Sequence, residues 1–186
     1  ASDADDMVDY LCSVAEHTEV FFLWRPVLSD ADDDMILELA IASQCDAIVQ
    51  KGAIPHITWE PWVNGFPYPL DGIITGTYDA YIVANAIAVK TWAKPLFIRL
   101  GHEMNGDWYP WGGKNNGGGT LNGFGDPAKA DGPERFIAAY RRVHRLFDSV
   151  GVRNVSWIWC PNNGSAPNET WNLPENFYPG DDVVDW

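Results

Sequence analysis

Residues 96–112 read LFIRLGHEMNGDWYPWG, and this stretch gives the first indication of the fold. Its opening apolar run predicts a short buried β-strand. Four polar residues lie in or directly after that strand: Arg99, His102, Glu103 and Asn105. Parallel strands bring their carboxyl ends to one edge of a sheet, so polar residues that follow other strands would lie close to these four.

Strand and helix patterns alternate along the whole chain, without the turn sequences of a β-hairpin. Strands are predicted at 19–24, 53–59, 95–100 and 155–160, and 182–186 is predicted to begin another. Helices are predicted at 5–17, 30–51, 77–94 and 133–150, with a glycine-rich loop at 112–125 that is expected to be flexible. Such alternation indicates parallel strands joined by right-handed crossovers.

Two architectures fit this order, a doubly wound open sheet and a closed (β/α)8 barrel. All four predicted strands end in polar and aromatic residues: Trp24-Arg25-Pro26, Trp59-Glu60-Pro61-Trp62, Arg99 with His102-Glu103, and Trp159-Cys160-Pro161-Asn162-Asn163. A barrel assembles its site from several strand ends, whereas a doubly wound sheet uses one switch point and usually has a glycine-rich turn after its first strand. Arg25 and Pro26 stand at that place here, so a TIM barrel is favoured.

The chain is shorter than such a barrel requires. A complete one takes roughly 250 residues, and four strands with the start of a fifth can be counted. We therefore expect residues 1–186 to form a single incomplete α/β domain, a partial (β/α)8 TIM barrel.

Charge narrows the range of partners. The chain carries 12 Lys and Arg against 26 Asp and Glu, a formal net charge of −14. A protein this anionic repels phosphate backbones and anionic membranes, so neither nucleic acid nor a membrane is an expected partner. A neutral polymer meets no such repulsion.

Tryptophan is unusually frequent, with ten in the chain. Several lie in predicted loops: Trp62, Trp108, Trp111 and Trp171. Exposed flat rings suit the binding of sugars, whose C–H faces stack on them, although each of these rings could equally fill the core.

Other chemistries find little support. The three cysteines lack metal-type spacing, although Cys12 and Cys45 could form a bridge. A zinc motif beginning at His102 would need a histidine at position 106, which is Gly106. The triple glycine at 117–119 lacks the strand before it and the helix after it that a phosphate loop requires. No metal and no cofactor are expected.

Glu103 is the candidate for catalysis. An aromatic wall lowers the local dielectric, and a carboxylic acid in such surroundings keeps its proton near neutral pH and can donate it to a glycosidic oxygen. Arg99 and His102 would oppose this effect or hold a partner carboxylate ionised. Two carboxyl groups in opposed environments are what glycoside hydrolysis requires. A purely structural pair of Glu103 with Arg99 remains an alternative.

At these residues the sequence resembles glycoside hydrolase family 26. The segments that carry the resemblance are RLGHEMNGDWYPWG (99–112), ITWEP (57–61), WIWCPN (157–162) and YPGDDVVDW (178–186). The family comprises mainly endo-β-1,4-mannanases, with mixed-linkage β-1,3-1,4-glucanases and a few xylanases. The resemblance implies a retaining clan-A barrel, with Glu103 as acid/base at the end of barrel strand four. It also implies that the chain supplies the first helix through the start of strand six.

The resemblance assigns roles to the surrounding residues. The expected substrate-binding set is His102, Asn105, Trp108, Trp111, Arg99, Trp59 and Glu60, in which Asn105 and Arg99 order the site and Trp108 stacks on a sugar. The nucleophile of the family is a Glu on strand seven, which lies beyond Trp186. The 186-residue chain alone is therefore expected to be inactive.

Two departures leave the substrate open. Family mannanases carry a Trp-Phe-Trp-Trp wall and often a His at the end of strand three, where this chain has WYPW (108–111) and Trp59-Glu60. The first expectation is a secreted mannan endo-1,4-β-mannosidase. The alternatives are a mixed-linkage β-glucanase or a non-catalytic carbohydrate-binding relative.

Overall fold

The structure is a computed structural model that describes residues 54–63 and 65–186. The elements predicted at 5–17, 19–24 and 30–51 lie outside these residues, as do Cys12 and Cys45. In the described part, three strands form one sheet in the order β1 (His56–Trp59), β2 (Leu96–Leu100) and β3 (Val155–Ile158). Both pairings are parallel, as the alternation of strands and helices predicts.

The register places side chains from neighbouring strands side by side. Thr58 of β1 stands beside Arg99 of β2, which stands beside Ile158 of β3. The predicted strand over 182–186 begins only at its end, where Trp186 N–H donates to the Trp157 carbonyl at 3.1 Å and the Trp186 carbonyl accepts from Trp159 N–H at 2.9 Å. This is the hydrogen-bond pattern of another parallel neighbour.

Three helices connect the strands of the described part: α1 (Asp71–Ile74) and α2 (Asp79–Trp92) between β1 and β2, and α3 (Asp131–Val150) between β2 and β3. Short 3₁₀ turns lie at Gly113–Asn116, Thr170–Asn172 and Pro174–Phe177. The prediction over 77–94 corresponds to α2, whereas α1 is too short to show a period. Helix α3 begins at Asp131, two residues before Pro133. Proline is accepted there because the N–H groups of the first helical turn have no partner within the helix. No helix in the described ranges is long and apolar enough to cross a membrane.

Helices α2 and α3 pack on the same face of the sheet. The Trp59 ring contacts both Tyr81 of α2 and Phe147 of α3, with centroids 6.4 and 5.9 Å away. The apolar stripe of α3 lies in the same core and comprises Phe136, Ala139, Tyr140, Val143 and Phe147. A doubly wound sheet carries helices on both faces, so the position of α2 and α3 on one face, within the described residues, agrees with the barrel interpretation.

The other face of the sheet carries the charged side chain of Arg99. Arg99 donates from Nε and Nη2 to Thr58 Oγ1 at 3.1 and 2.7 Å, and Nη1 lies 3.9 Å from Cys160 Sγ. Because side chains alternate along a strand, Arg99 faces away from the helices while Ile98 and Leu100 pack against them. Arg99 therefore lies beneath the strand ends, on the face opposite the core.

The glycine-rich loop at 112–125 is held by buried charges from the start of α3. Asp131 accepts hydrogen bonds from the N–H groups of Gly123 and Phe124, at 3.0 and 3.1 Å. Arg135 donates to the carbonyl groups of Asn116 and Gly123, both at 3.2 Å. The glycine content predicts a flexible loop, but its hydrogen bonds to Asp131 and Arg135 hold it in place.

Removing one member of this network should destabilise the fold. Arg135 is only 4% exposed and also donates to Asp71 at 3.1 Å, so Arg135→Ala leaves buried acceptors unpaired. We expect a loss of about 3–5 kcal/mol in the free energy of unfolding, measured by urea denaturation.

Arg153 supplies a matched control, because its side chain is 72% exposed and pairs with Asp148 at 2.9 Å. Arg153→Ala should cost less than about 1 kcal/mol. Equal losses in the two variants would contradict the role given to Arg135.

Candidate active site

Glu103 lies at the carboxyl end of β2, in a turn fixed to both neighbouring strands. Gly101 and Glu103 both adopt left-handed backbone conformations, with φ of 57° and 52°. Gly101 N–H donates to the Trp59 carbonyl at 2.9 Å, and Glu103 N–H donates to the Cys160 carbonyl at 2.7 Å. A non-glycine residue in this conformation costs about 1–3 kcal/mol and is typical of functional sites.

The carboxylate of Glu103 is oriented by Trp108. Trp108 Nε1 donates to Glu103 Oε2 at 3.0 Å, while 46% of the tryptophan remains exposed. The indole lies over Gly106, where a Cβ atom would overlap the ring. Glycine at this position therefore lets the indole reach Glu103.

His102 is a buried, neutral imidazole. Its Nε2 lies 3.3 Å from the Tyr109 hydroxyl and 3.9 Å from Glu60 Oε1, and its carbonyl accepts from Trp111 Nε1 at 2.7 Å. Burial, and then the positive charge of Arg99, lower the pKa of His102 from 6.5 to about 4. Because His102 is neutral above that pH, its approach to Glu60 is not an ion pair.

A second tryptophan is held by a second carboxylate at the end of β1. Glu60 is 2% exposed, and its Oε2 accepts from Trp62 Nε1 at 2.8 Å. Trp62 itself is 40% exposed. The ends of β1 and β2 thus each present a glutamate that receives an indole N–H.

Trp62, Tyr109 and Trp108 form an aromatic row across these two strand ends. The Tyr109 centroid lies 6.4 Å from that of Trp62 and 6.3 Å from that of Trp108, with both pairs edge to face. Tyr109 stacks on the fully buried Trp111 at 4.3 Å. The row therefore rests on the core at its centre and is exposed at both ends.

Asn105 joins the segment after β2 to the segment after β3. Its side chain is buried, donates to the Asn162 carbonyl at 2.9 Å and accepts from Asn162 N–H at 2.8 Å. Its Nδ2 also lies 3.2 Å from Ser165 Oγ. Asn105 therefore orders the site although none of its own surface is exposed.

Comparison with known families agrees with this geometry. Residues 72–186 match the model of glycosyl hydrolase family 26, and this range contains β2, β3 and Glu103. The chain belongs to glycosyl hydrolase family 26.

Relatives in the family are much longer proteins. Endoglucanase H of Acetivibrio thermocellus is 36% identical over 141 residues, which cover 76% of this chain and 14% of that protein. Mannan endo-1,4-beta-mannosidase of Thermothelomyces thermophilus is 32% identical over 91 residues, 49% of this chain and 13% of that protein. The chain therefore aligns with only a small part of each relative.

A solved structure in the family shares the fold. Bacillus subtilis mannanase BCman superposes with a TM-score of 0.55 at 17% identity, over 86% of this chain and 48% of that one. Its fold is a (β/α)8 barrel, which agrees with the sequential parallel strands described above.

The structure brings four of the predicted site residues together at the strand ends: Glu103, His102, Trp108 and Glu60. Arg99 lies beneath them and, among the described residues, donates to Thr58 and Cys160. Within the described residues no ion pair joins Arg99 to Glu103, so the purely structural pair that the sequence left open is not formed.

Two predicted substrate contacts are not supported by their positions. Trp59 faces the helices, where it contacts Tyr81 and Phe147. Trp111 has no exposed surface. Neither ring is placed to stack on a sugar, because strand alternation turns Trp59 inward and the hydrogen bond to His102 holds Trp111 below Tyr109.

The expected substrate-binding set did not include three neighbours of the site: Trp62, Tyr109 and Asn162. The sequence had placed Trp62 and Asn162 at strand ends, and Trp62 among the rings that suit sugars. Treating every residue after a strand end as a candidate would have included all three.

The lowered pKa of His102 makes stability depend on pH. Between pH 6.5 and about 4 the unfolded chain binds a proton at this histidine that the folded protein does not. The free energy of unfolding should therefore fall as the pH falls through this window, by about 1.4 kcal/mol per pH unit from this group.

Urea denaturation at several pH values would measure this slope, and His102→Gln should remove its share of it. An imidazole of His102 that titrates near 6.5 by NMR would contradict the prediction.

Proposed function

We propose that the chain is part of the catalytic domain of a retaining endo-β-glycanase, with Glu103 as the general acid/base. The observation that carries this proposal is the position of Glu103 at a strand end, with its carboxylate held by the half-exposed Trp108 at 3.0 Å. Barrel enzymes assemble their active sites at this end of the sheet.

The proposed reaction has two steps. Glu103 first donates a proton to the glycosidic oxygen while a second carboxylate attacks the anomeric carbon, and the sugar becomes bound to that carboxylate. Glu103 then takes a proton from the water that releases the sugar. In line with the family resemblance, we place the nucleophile outside residues 1–186.

Neighbouring residues hold Glu103 and the sugar. His102 offers a neutral imidazole, Trp108 stacks on the sugar at the cleavage point, and Asn105 fixes the loop opposite. Arg99 orders the strand ends from below through Thr58 and Cys160. The buried Trp59 and Trp111 are assigned to support rather than to sugar contact.

We propose β-1,4-mannan as the first substrate and a β-glucan as the second candidate. The similarity to a mannan endo-1,4-beta-mannosidase supports the first. The longer match to Endoglucanase H, together with Glu60 where family mannanases often carry histidine, favours the second. Both polymers are neutral, which suits a chain of net charge −14. Since such a polymer stays outside the cell, we propose that the enzyme is secreted.

Glu103→Gln should lower the rate on natural polysaccharide by about 10²- to 10⁴-fold, because the amide cannot donate the proton. Reducing-end release by a full-length protein that contains this chain would measure the loss. A substrate with an acidic leaving group needs no proton, so its first step should be affected far less.

Glu169→Gln is the matched control, since Glu169 also accepts from an indole N–H, that of Trp171, but is exposed. It should keep normal activity. Normal activity of Glu103→Gln would refute the assignment. Binding of oligosaccharides with no turnover by the unaltered protein would favour a carbohydrate-binding relative.

The 186-residue chain by itself should release no reducing ends, because the two-step reaction needs the second carboxylate. The measurement is an overnight assay on mannan and β-glucan, with the full-length protein as the positive control. Turnover by the isolated chain would show that a carboxylate within it serves as nucleophile.

A further inference from the structure

Glu60 is a buried carboxylate at the end of β1, with 2% of its surface exposed. Its Oε2 accepts the indole N–H of Trp62 at 2.8 Å, and its Oε1 faces the neutral His102 at 3.9 Å. Glu60 therefore fixes the direction of an indole at the end of β1.

Trp62 is the group that Glu60 fixes. Its edge-to-face contacts with Tyr109 and Trp111, at 6.4 and 5.6 Å, set the ring perpendicular to both. Yet 40% of the residue remains exposed, so core packing alone does not account for this arrangement. A rigid, half-exposed aromatic ring with a fixed orientation is a suitable platform for a ligand.

The position of Trp62 relative to Glu103 indicates the ligand. Trp62 and Trp108 occupy the two ends of the aromatic row, with Tyr109 between them. Trp108 contacts Glu103, so the other end of the row meets a part of the substrate away from the cleaved bond. Glu60 is buried and His102 is neutral above a pH of about 4, so these two side chains present no exposed charge to a ligand.

We propose that Trp62 forms a further sugar-binding subsite, which stacks on a neutral sugar residue remote from the cleavage point, and that Glu60 is its positioning residue. This inference rests on the proposed function, since it assumes that the chain bound along the row is the substrate of Glu103. On this inference, Trp62 controls how the affinity for an oligosaccharide depends on its length, and it does not take part in the chemistry at Glu103.

The test compares Trp62→Ala and Trp62→Phe in the full-length protein, on manno- and gluco-oligosaccharides of increasing length. Trp62→Ala should raise KM about tenfold on long oligosaccharides, with little change in kcat, because the lost stacking is made in ground state and transition state alike. The shortest cleaved oligosaccharide should show no change. Trp62→Phe should retain most of the affinity. Ile87→Ala changes another exposed apolar side chain, on α2, and is the control that should alter nothing.

Glu60 is tested by a pair of variants. Glu60→Gln keeps an oxygen that accepts the Trp62 N–H and should preserve KM, whereas Glu60→Ala should raise KM as Trp62→Ala does. If Glu60→Ala does not fold, the Trp62 variants still decide the subsite. An unchanged KM in Trp62→Ala, or an equal loss of kcat at every length, would overturn the inference.

Calorimetry separates this inference from the proposed function. If the unaltered protein cleaves no glycan but binds oligosaccharides more tightly than Trp62→Ala does, the proposed activity fails and the subsite stands. If it cleaves glycans and Trp62→Ala binds and cleaves them normally, the subsite fails and the activity stands.

Discussion

The hydrogen bond from Glu103 N–H to the Cys160 carbonyl, 2.7 Å long, is the constraint on which the site depends. It lies past the last ladder pair of β2 and β3, and it holds Glu103 in a left-handed conformation that a non-glycine residue otherwise avoids. Because the donor is a main-chain group, the direction of the side chain is set by the sheet itself. Trp108 and Asn105 then act on a residue whose backbone is already fixed.

The cation of Arg99, beneath the strand ends, contributes to their electrostatics. Arg99 has Thr58 and Cys160 as its partners, and so its charge is not cancelled by an ion pair within the described residues. Burial, and then that charge, keep His102 neutral, and the same two causes in the same order lower the pKa of His56 on β1. A neutral His102 can donate or accept a hydrogen bond beside Glu103 without adding charge to the site.

Much of the fold could be predicted from sequence because it depends on short-range patterns. The strand runs and the apolar stripe of α3 gave the parallel order and the core, whereas α1 has too few residues to show a period. In the site, Glu103, His102 and Asn105 were found because a strand end is visible in the sequence. The orientations of Trp59 and Trp111 were not, because which side of a strand faces the helices depends on register and packing that single residues do not encode.

The two glutamates show how surroundings divide one type of side chain between tasks. Each accepts one indole N–H, at 3.0 Å for Glu103 and 2.8 Å for Glu60. Glu60 is enclosed next to His102 with 2% of its surface exposed, so its carboxylate is suited to orienting its neighbours. Glu103 lies in a turn that keeps part of it exposed, next to a ring that is itself half exposed. Proton transfer requires access and orientation together, and of these two carboxylates only Glu103 has both.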